Sequence, residues 1–590
     1  MPIHNADIAA IFEEIADLLE IRGDNPFRIR AYRNAARSVG EFGREFKTLI
    51  EAGAEPPKLP GIGADLSAKI HEIVITGRCA ALDKLRKEMP PAITELLKIP
   101  GLGPKRVQAL NRELGVATVA QLKQAARAGH IRELAGFGAK TEQRILEALA
   151  AHAEQARRVK LAVATQYAEA LIEYLERVRG VQQVVVAGSY RRMQETVGDL
   201  DILVTAQPGS AVMARFVAYD EVRDVLAQGE TRSSVVLKSG LQVDLRLVPA
   251  ECYGAALHYF TGSKAHNIAI RRLAQARGLK LNEYGVFRGE RRVAGETEES
   301  VFAAVGLPLI APELREDRGE IEAARAGRLP QLVTLADLRG DLHMHTRASD
   351  GRNTIQEMAL AAGEQGLGYI AITEHSRRLA VTRGLDPQRL ARQIDEIERL
   401  NAGLTGITVL KGIEVDILED GTLDLPDSVL QRLDVVIAAV HGKFDLSRRR
   451  QTERILRALD NRHVNLLAHP TGRLLGAREP YDVDMLRILR KAKSRRICVE
   501  LNSQPERLDL DDTLCQMARD EGVLVSINSD AHSTFDFANL RYGIGQARRG
   551  WLERDNVLNT RSLAALRALL NAGRQRGGAA PIVSPARLRS

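Results

Sequence analysis

DLHMHTRASDG, Asp341–Gly351, decides how the second half of this 590-residue chain is read. A short strand-like run carries His343 and His345, and Asp350 follows in the turn beyond it. Working outward, similar runs recur between helical segments: YIAITEH ending at His375, ITVLKGIEVDI with Glu414, DVVIAAVH ending at His441, VNLLAHP with His469, ICVELN, and VLVSINSD ending at Asp530, with His532 two residues on. Seven such units predict a barrel-like parallel α/β domain, whose active site belongs at the carboxyl ends of the strands. The nine metal-type side chains stand at or near those ends, and they take up six of the chain's 13 histidines. Imidazole and carboxylate ligands in that number suit two or three divalent ions, the usual equipment of phosphate-ester hydrolysis. This half of the chain reads as a metallohydrolase.

Composition sets outer bounds. The formal net charge of +8 hints at polyanionic partners. Cys79, Cys252, Cys498 and Cys515 lie far apart, so neither a disulfide framework nor a thiolate zinc site is expected. No apolar run approaches the roughly 20 residues needed to cross a bilayer. The opening MPIHNADIAAIFEEIADLLEIRG is acidic and amphipathic, unlike a signal or transit peptide. The expectation is a cytoplasmic monomer used at the nucleoid, without a membrane partner.

Residues 1 to about 150 carry helical periodicity broken by Gly/Pro turns. Three segments share an h-x-G-h-G frame followed by a helix: LPGIGADLSAKI (Leu59–Ile70), IPGLGPKRVQAL (Ile99–Leu110) and LAGFGAKTEQRIL (Leu134–Leu146). Such turns present backbone N–H groups at a helix amino terminus, where an anion is favoured. Gly61, Gly63, Gly101, Gly103 and Lys105 are therefore candidate contacts to a phosphate backbone. These segments resemble helix–hairpin–helix motifs, which grip DNA without reading its sequence.

From about residue 181 the pattern turns to short β-branched runs: VVVAGSY, DLDILVTA, SVVLKSG and QVDLRLVP. In GSYRRMQETVGDLDIL, Gly188 and Ser189 end one strand, and Asp199 and Asp201 occupy alternate positions of the next. Alternate residues share a strand face, so both can bind the same pair of Mg2+ ions, with Asp244 on a later strand closing the site. These motifs, with YFTGSKAHNIAIR (Tyr259–Arg271), resemble the family X DNA polymerases, the group that contains DNA polymerase beta. The resemblance implies that Asp199, Asp201 and Asp244 are catalytic. It also implies that Ser189, Arg192 and Gly198 contact an incoming dNTP, that Tyr259, Phe260 and Gly262 discriminate the sugar, and that Asn267 and Arg271 face the minor groove of the nascent pair. PFRIRAYRNAAR (Pro26–Arg37) and the first hairpin match the small lyase domain of that family. Lys69 falls where lyase-active members carry their Schiff-base lysine, but Asp65 and Arg28 replace supporting lysines, leaving a plain DNA-facing cation as the other reading. Tyr32 matches a residue near a 5′-phosphate at a gap.

DLHMHT, ASDG, TEHS, GIEVDI, VHGK, AHP and NSDAH resemble the polymerase and histidinol phosphatase (PHP) domain, with all nine ligand positions filled: His343, His345, Asp350, His375, Glu414, His441, His469, Asp530 and His532. Glu374, Glu500 and Asn502 are candidates for orienting those ligands, Lys443 and Arg473 for neutralising substrate phosphate, and His463 is expected at the surface. The order of domains resembles bacterial and archaeal family X polymerases, where the barrel implies Mn2+-dependent 3′–5′ exonuclease and related 3′-end or abasic-site cleavage, its site taking Mn2+ and/or Zn2+, up to three ions. The expected architecture is multidomain. It comprises an all-α region with a lyase-like domain (1–85) and a second helix–hairpin–helix domain (86–155), an α+β nucleotidyltransferase palm (156–255) and thumb (256–315), and a linker (316–337). A distorted α/β PHP barrel of about seven strands (338–575) and a tail (576–590) complete it. The expected function is a repair polymerase that fills short gaps in primed duplex DNA. The alternative is a DNA-end-binding protein whose barrel is a phosphatase or a structural, metal-bound domain.

Overall fold

A computed structural model describes residues 5–40, 46–51, 62–89, 91–99, 102–134, 136–155, 158–379 and 382–575. The chain divides into two compact units, Met1–Leu309 and Ile310–Ser590.

The first unit begins with helices and carries the sheet after them. Asn5–Arg22 and Pro26–Gly40 pack as a pair around Ile8, Phe12, Ile15 and Leu19. Pro104–Leu114, Val119–Arg127 and Ala139–Gln155 follow, the middle one opened by a Thr118/Gln121 capping box that satisfies its first amides. A five-stranded mixed sheet is ordered Val181–Val186, Asp199–Ala206, Gln242–Leu247, Arg232–Leu237, Val222–Gln228. Four of these strands carry the β-branched runs read from the sequence. The fifth, Val222–Gln228, is an edge strand and mostly exposed, so it lacks the apolar alternation that marks a buried strand. A small antiparallel sheet, Lys280–Asn282, Gly285–Arg288 and Arg291–Ala294, lies between the helices Lys264–Ala276 and Glu298–Ala304.

The second unit is the expected barrel. Seven parallel strands are hydrogen-bonded in chain order: Gly340–Asp341, Tyr369–Ile372, Thr408–Asp416, Val435–Ala439, Leu466–Leu467, Cys498–Asn502 and Val525–Asn528. The seventh returns to the first through a parallel bridge, Met344 to Ala531, with the His345 N–H donating to the Ala531 carbonyl at 2.8 Å. Parity explains the rest. On the third strand Leu410 points into the barrel, while Val409, Ile413 and Val415 point out to the helices. Two-residue periodicity then carries Glu414 inward near that strand's carboxyl end, as it carries His441 inward beyond Val435, Ile437 and Ala439. The opposite end is plugged by Leu566 and Leu570 of the helix Leu563–Gln575. One barrel is thus apolar at its base and ligand-bearing at its mouth.

The segment 316–337, expected as a linker, is instead folded onto the barrel. Val333 donates to the Leu552 carbonyl and joins the outer core, Glu316 receives the Arg549 guanidinium at 2.9 Å, and Glu313 just before the segment receives that of Arg548 at 2.7 Å. Its charged composition disguised this, because the acids are paired with arginines that lie more than 200 residues away in sequence. His463, expected at the surface, is 5 % exposed, for its polar neighbours cover it. None of the four cysteines is bridged, and all are buried. Among the described residues no helix is long and apolar enough to cross a membrane.

Candidate metal centres and nucleic-acid contacts

All nine expected barrel ligands meet at the mouth. They form three overlapping groups: His345, Asp350, His375 and His532; His343, His345 and Asp530; His375, Glu414 and His441. His469 Nε2 adds to the last group, 2.9 Å from Glu414 Oε1. Two atoms bound to one ion at about 2.1 Å stand about 3.0–3.5 Å apart. His343 Nε2 lies 3.5 Å from both Glu414 and Asp530, His345 Nε2 3.2 Å from Asp530, His441 Nε2 3.1 Å from Glu414, and His375 Nε2 3.4 Å from Asp350. Those are the spacings of neighbours around shared cations.

Hydrogen bonding supports the fit. His343 Nε2 and Glu414 Oε2 are both buried and lack a hydrogen-bond partner, an expensive arrangement that a cation between them would relieve. Burial pushes the Glu414 carboxyl up, but His441, His375 and His343 around it hold it well below the ordinary carboxylate range. Asp530 behaves in the same way, with His343 and His345 overcoming its burial. Conversely, burial opposes a charge on His343, yet Glu500, Asp530 and Glu414 raise its pKa well above the usual value. The pocket is built to hold positive charge.

Surrounding groups aim these ligands. Glu500 Oε1 sits 2.7 Å from His343 Nδ1, and its Oε2 accepts the His469 backbone N–H at 2.8 Å. Asn502 Nδ2 donates to Asp530 Oδ2, and Gln504 Nε2 to the Asp530 carbonyl, both at 2.9 Å. Asp530 and His469 have φ of 52° and 25°, left-handed conformations that cost roughly 1–2 kcal/mol each and turn the side chains back toward the cluster. Glu374 acts one step further out: it accepts from Thr346, Ser349 and Gln393 and so fixes the loop that ends at Asp350. Lys443 is exposed at the rim near Glu419. Arg473 is not available to substrate, because it is buried and donates to the Arg507 and Leu508 carbonyls. A different arginine stands near the ligands, Arg507, with Nε 3.8 Å from Asp530 Oδ2. No motif in QPERLDL signalled it.

In the palm, Asp201 and Asp244 are direct partners on adjacent parallel strands, and Asp199 precedes Asp201 by two on the same face. Three acids share one surface, as the sequence implied. Burial, together with Asp199 and Asp244, pushes Asp201 up to about 7, and burial and Asp244 raise Asp199. Mutual repulsion of this kind favours cations between the carboxylates. Gly188 lies beside them with φ +62°, where a Cβ would fall 2.8 Å from Asp201 Oδ2, so only glycine lets this turn close on the acid. Ser189 is half-buried in the next position. Arg192 donates to the Thr261 carbonyl at 2.8 Å, while Arg191 is held by Glu298 and Thr261. Arg158, which sequence reading missed, donates to Thr196 Oγ1 at 2.9 Å and lies against Gly198, close enough to draw down the Asp199 pKa. Phe260 is covered by Arg246, 4.2 Å from its centroid, and Tyr259 by Arg271 at 6.0 Å. Asn267 donates to the Tyr259 and Gly262 carbonyls at 2.6 and 3.2 Å, bracing that bend.

Of the hairpin contacts, Gly61 and Gly101 lie outside the described residues. Gly63 and Gly103 cap the helices Ala64–Thr76 and Pro104–Leu114 with φ of −78° and −84°, and a Cβ on either would meet nothing within 4 Å among the described residues. Glycine serves there as an N-cap, and no described side chain blocks approach to the helix amino termini from outside. Lys105 is exposed beside Gly103. Lys69 is mostly covered and paired with Asp65. Tyr32 is 3 % exposed, its ring edge-on to Phe12 at 5.8 Å, so it belongs to the core between two helices and cannot stack on DNA. The alternation that buries Ala35, Ala36 and Val39 buries it too.

Comparison with known proteins gives these sites a context. Residues 3–79 match the helix-hairpin-helix domain, 93–151 the SAM-like helix-hairpin-helix tandem, 158–254 the DNA polymerase beta palm, 256–316 the DNA polymerase beta thumb and 341–504 the PHP domain. The DNA polymerase/3′-5′ exonuclease PolX of Bacillus subtilis (strain 168) is 39% identical over 575 residues, covering 96% of this chain and 99% of that protein. The chain belongs to the PolX group of family X DNA polymerases. DNA polymerase lambda of Arabidopsis thaliana is 27% identical over 354 residues, 53% of this chain and 62% of that protein. A probable phosphatase of Thermoanaerobacter sp. (strain X514) is 30% identical over 231 residues, 37% of this chain and 89% of its own length. The PHP match stops at residue 504, whereas the barrel runs on through its seventh strand to Asp530 and His532.

Proposed function

We propose that this chain extends a primer 3′ end with dNTPs at short gaps and shortens 3′ ends through the barrel. The observation that carries the reading is the presence, in one PolX-type chain, of both a shared-face triad of acids and an intact nine-ligand cluster. Asp199, Asp201 and Asp244 would hold two Mg2+ ions. The barrel histidines and acids would hold up to three Mn2+ or Zn2+ ions, imidazole suiting these softer metals better than Mg2+. Divalent cations at the two sites supply Lewis acidity, lowering the pKa of the attacking hydroxyl or water and offsetting charge on phosphate. Ser189, Arg192 and Arg158 would meet the triphosphate, a reading supported by the charges of Arg192 and Arg158 acting on Asp201 and Asp199. Tyr259, Phe260 and Gly262 would crowd a ribose 2′-hydroxyl, with Asn267 and Arg271 beside the base pair. Gly63, Gly103 and Lys105 would take DNA phosphates, independently of sequence.

The expected setting is repair of gapped duplex by a monomer in the cytoplasm, at the nucleoid. Lys69, tied to Asp65, favours a DNA-facing cation over a lyase nucleophile. Primer extension on a gapped duplex in Mg2+, and shortening of a 5′-labelled primer in Mn2+, test the two activities separately. The barrel's similarity to probable phosphatases favours a second reading, monoester hydrolysis. Release of inorganic phosphate from a 3′-phosphorylated primer, with no shortening of a 3′-hydroxyl primer, would establish that reading and reject exonuclease.

A further inference from the structure

The loop after the second barrel strand delivers His375 to the cluster and the third strand delivers Glu414, and beyond these ligands the loops that follow the two strands enclose something else. Between them lies an open cavity of about 580 Å3 walled by Arg377, Arg378, Pro387, Leu418, Leu423 and Leu425. Its volume falls within the range of roughly 300–1,000 Å3 typical of small-ligand sites. None of the nine metal-type residues lines it. Yet the cavity adjoins them: Arg378 Nε is 3.6 Å from Asp416 Oδ2, and Asp416 Oδ1 is 3.5 Å from His441 Nδ1. One side chain therefore separates the cavity wall from the cluster.

The walls have a definite chemistry. Leu418, Leu423, Leu425, Pro387 and Pro426 make them largely apolar, Asp424 adds one carboxylate, and the Arg378 guanidinium, with 47% of its side chain exposed, stands at the rim beside the metal-facing end. Arg377 Nε and the Arg378 backbone N–H both donate to Asp424, to its carbonyl and its carboxylate, at 3.1 and 3.0 Å, so the two loops are tied across the cavity. A planar aromatic ring is the ligand such walls accept, since it buries apolar faces and stacks on a guanidinium plane. Phosphate hydrolysis alone requires no such space.

We infer that this cavity seats the base of the 3′-terminal nucleotide while its phosphodiester lies on the barrel cluster. The inference rests on the exonuclease reading above and specifies its substrate. In the step concerned, water oxygen bonds to the terminal phosphorus and the bond from that phosphorus to the penultimate 3′-oxygen breaks. The 3′-oxygen takes a proton, and the last nucleotide leaves as its 5′-monophosphate. A base anchored in the cavity fixes which phosphodiester is presented, so cleavage proceeds one residue at a time from the end.

The test compares two single-stranded oligonucleotides that differ only in the last residue, a normal deoxynucleotide or an abasic tetrahydrofuran. The full-length protein in Mn2+ should cleave the base-bearing end with kcat/KM at least about tenfold higher. Leu423→Trp, which fills the cavity, and Leu418→Trp from the other wall should bring the two substrates to within about twofold, at unchanged metal content and Tm. Equal rates on both ends in the unaltered protein, or a preference that survives in a folded Trp variant, would overturn the assignment alone. No shortening of either oligonucleotide would overturn the exonuclease reading and this assignment with it.

Discussion

Palm and barrel both assemble acids for phosphate chemistry, yet they do so in opposite surroundings. The palm uses carboxylates only; Asp199 is exposed, Asp201 half-buried and Asp244 buried. In the barrel, imidazoles mingle with acids, and His343, His345 and Glu414 are at most 1% exposed. Exposed oxygen ligands suit ions that arrive with the nucleotide and leave with pyrophosphate. Buried nitrogen and oxygen ligands suit ions that stay, and whose binding free energy is part of the fold. On this reading the palm would borrow its metals and the barrel would keep them.

The largest effects should come from crossing the two sites. Asp244→Ala should lower primer extension by about a thousandfold or more, and His343→Ala should do the same to 3′-end shortening, each leaving the other activity within about twofold. Gel assays of both variants on one labelled duplex measure this. If either substitution silences both reactions, the sites are not independent and the comparison breaks.

Chelation sharpens it next. Any ligand bound only to the folded state stabilises by about 2.7 kcal/mol at a hundred times its Kd, which for units of this size is several degrees in Tm. EDTA should therefore lower the melting of the second unit while leaving the first nearly unmoved, as calorimetry can read. In EDTA at pH 8, Asp201→Asn should instead raise the melting of the first unit by about 1–3 °C. The sign follows from Asp201 being pushed up to about 7: its ionised form is disfavoured in the folded state, so removing the charge relieves repulsion above that pH. A fall in Tm would show that the three acids do not repel one another.

What was legible in the sequence follows the same division. Barrel strands are buried on both faces, so their apolar runs stand out, and the ligands close those runs at fixed parity. Asp199 and Asp201 were legible because a strand's period of two is unambiguous. The edge strand Val222–Gln228 was not, since it is exposed on both faces and VRDVLAQ carries no two-residue alternation. Tyr32 misled because a motif gives a residue type without its burial, and the helix turned it toward Phe12. Arg158 and Arg507 were invisible for a related reason. Each reaches its site from a stretch with no pattern, placed there by neighbours distant in sequence. The charge clamp that folds 316–337 onto the barrel failed the same way, its partners being Arg548 and Arg549.

Arg507 turns that lesson into a smaller prediction. It is a cation near the barrel ligands that is neither a ligand nor fully buried, with 22% of its side chain exposed. A charge-assisted contact to substrate phosphate contributes about 1.5–3 kcal/mol, so Arg507→Ala should reduce kcat/KM for 3′-end shortening by roughly ten- to a hundredfold. Bound metal, measured by emission spectroscopy, should stay constant. Metal lost in step with activity would mean that Arg507 supports Asp530 and does not meet the substrate.

The smallest effect is expected furthest from either cluster. Gly103 caps its helix in an extended conformation that any residue can adopt, and a Cβ there meets no atom of the described residues. Gly103→Ala should therefore create no clash with those residues and cost the fold only about 0.5–1 kcal/mol, the amount by which alanine is a poorer N-cap than glycine. If a DNA phosphate approaches the amides of that helix terminus, the added methyl intrudes on it and weakens duplex binding by a few-fold. The loss should be uniform across sequences, because a backbone contact reads none. Titration of a fluorescent gapped duplex separates the outcomes. Affinity equal to that of the unaltered chain would remove this hairpin from the DNA-binding surface, while both metal sites would keep their assignments.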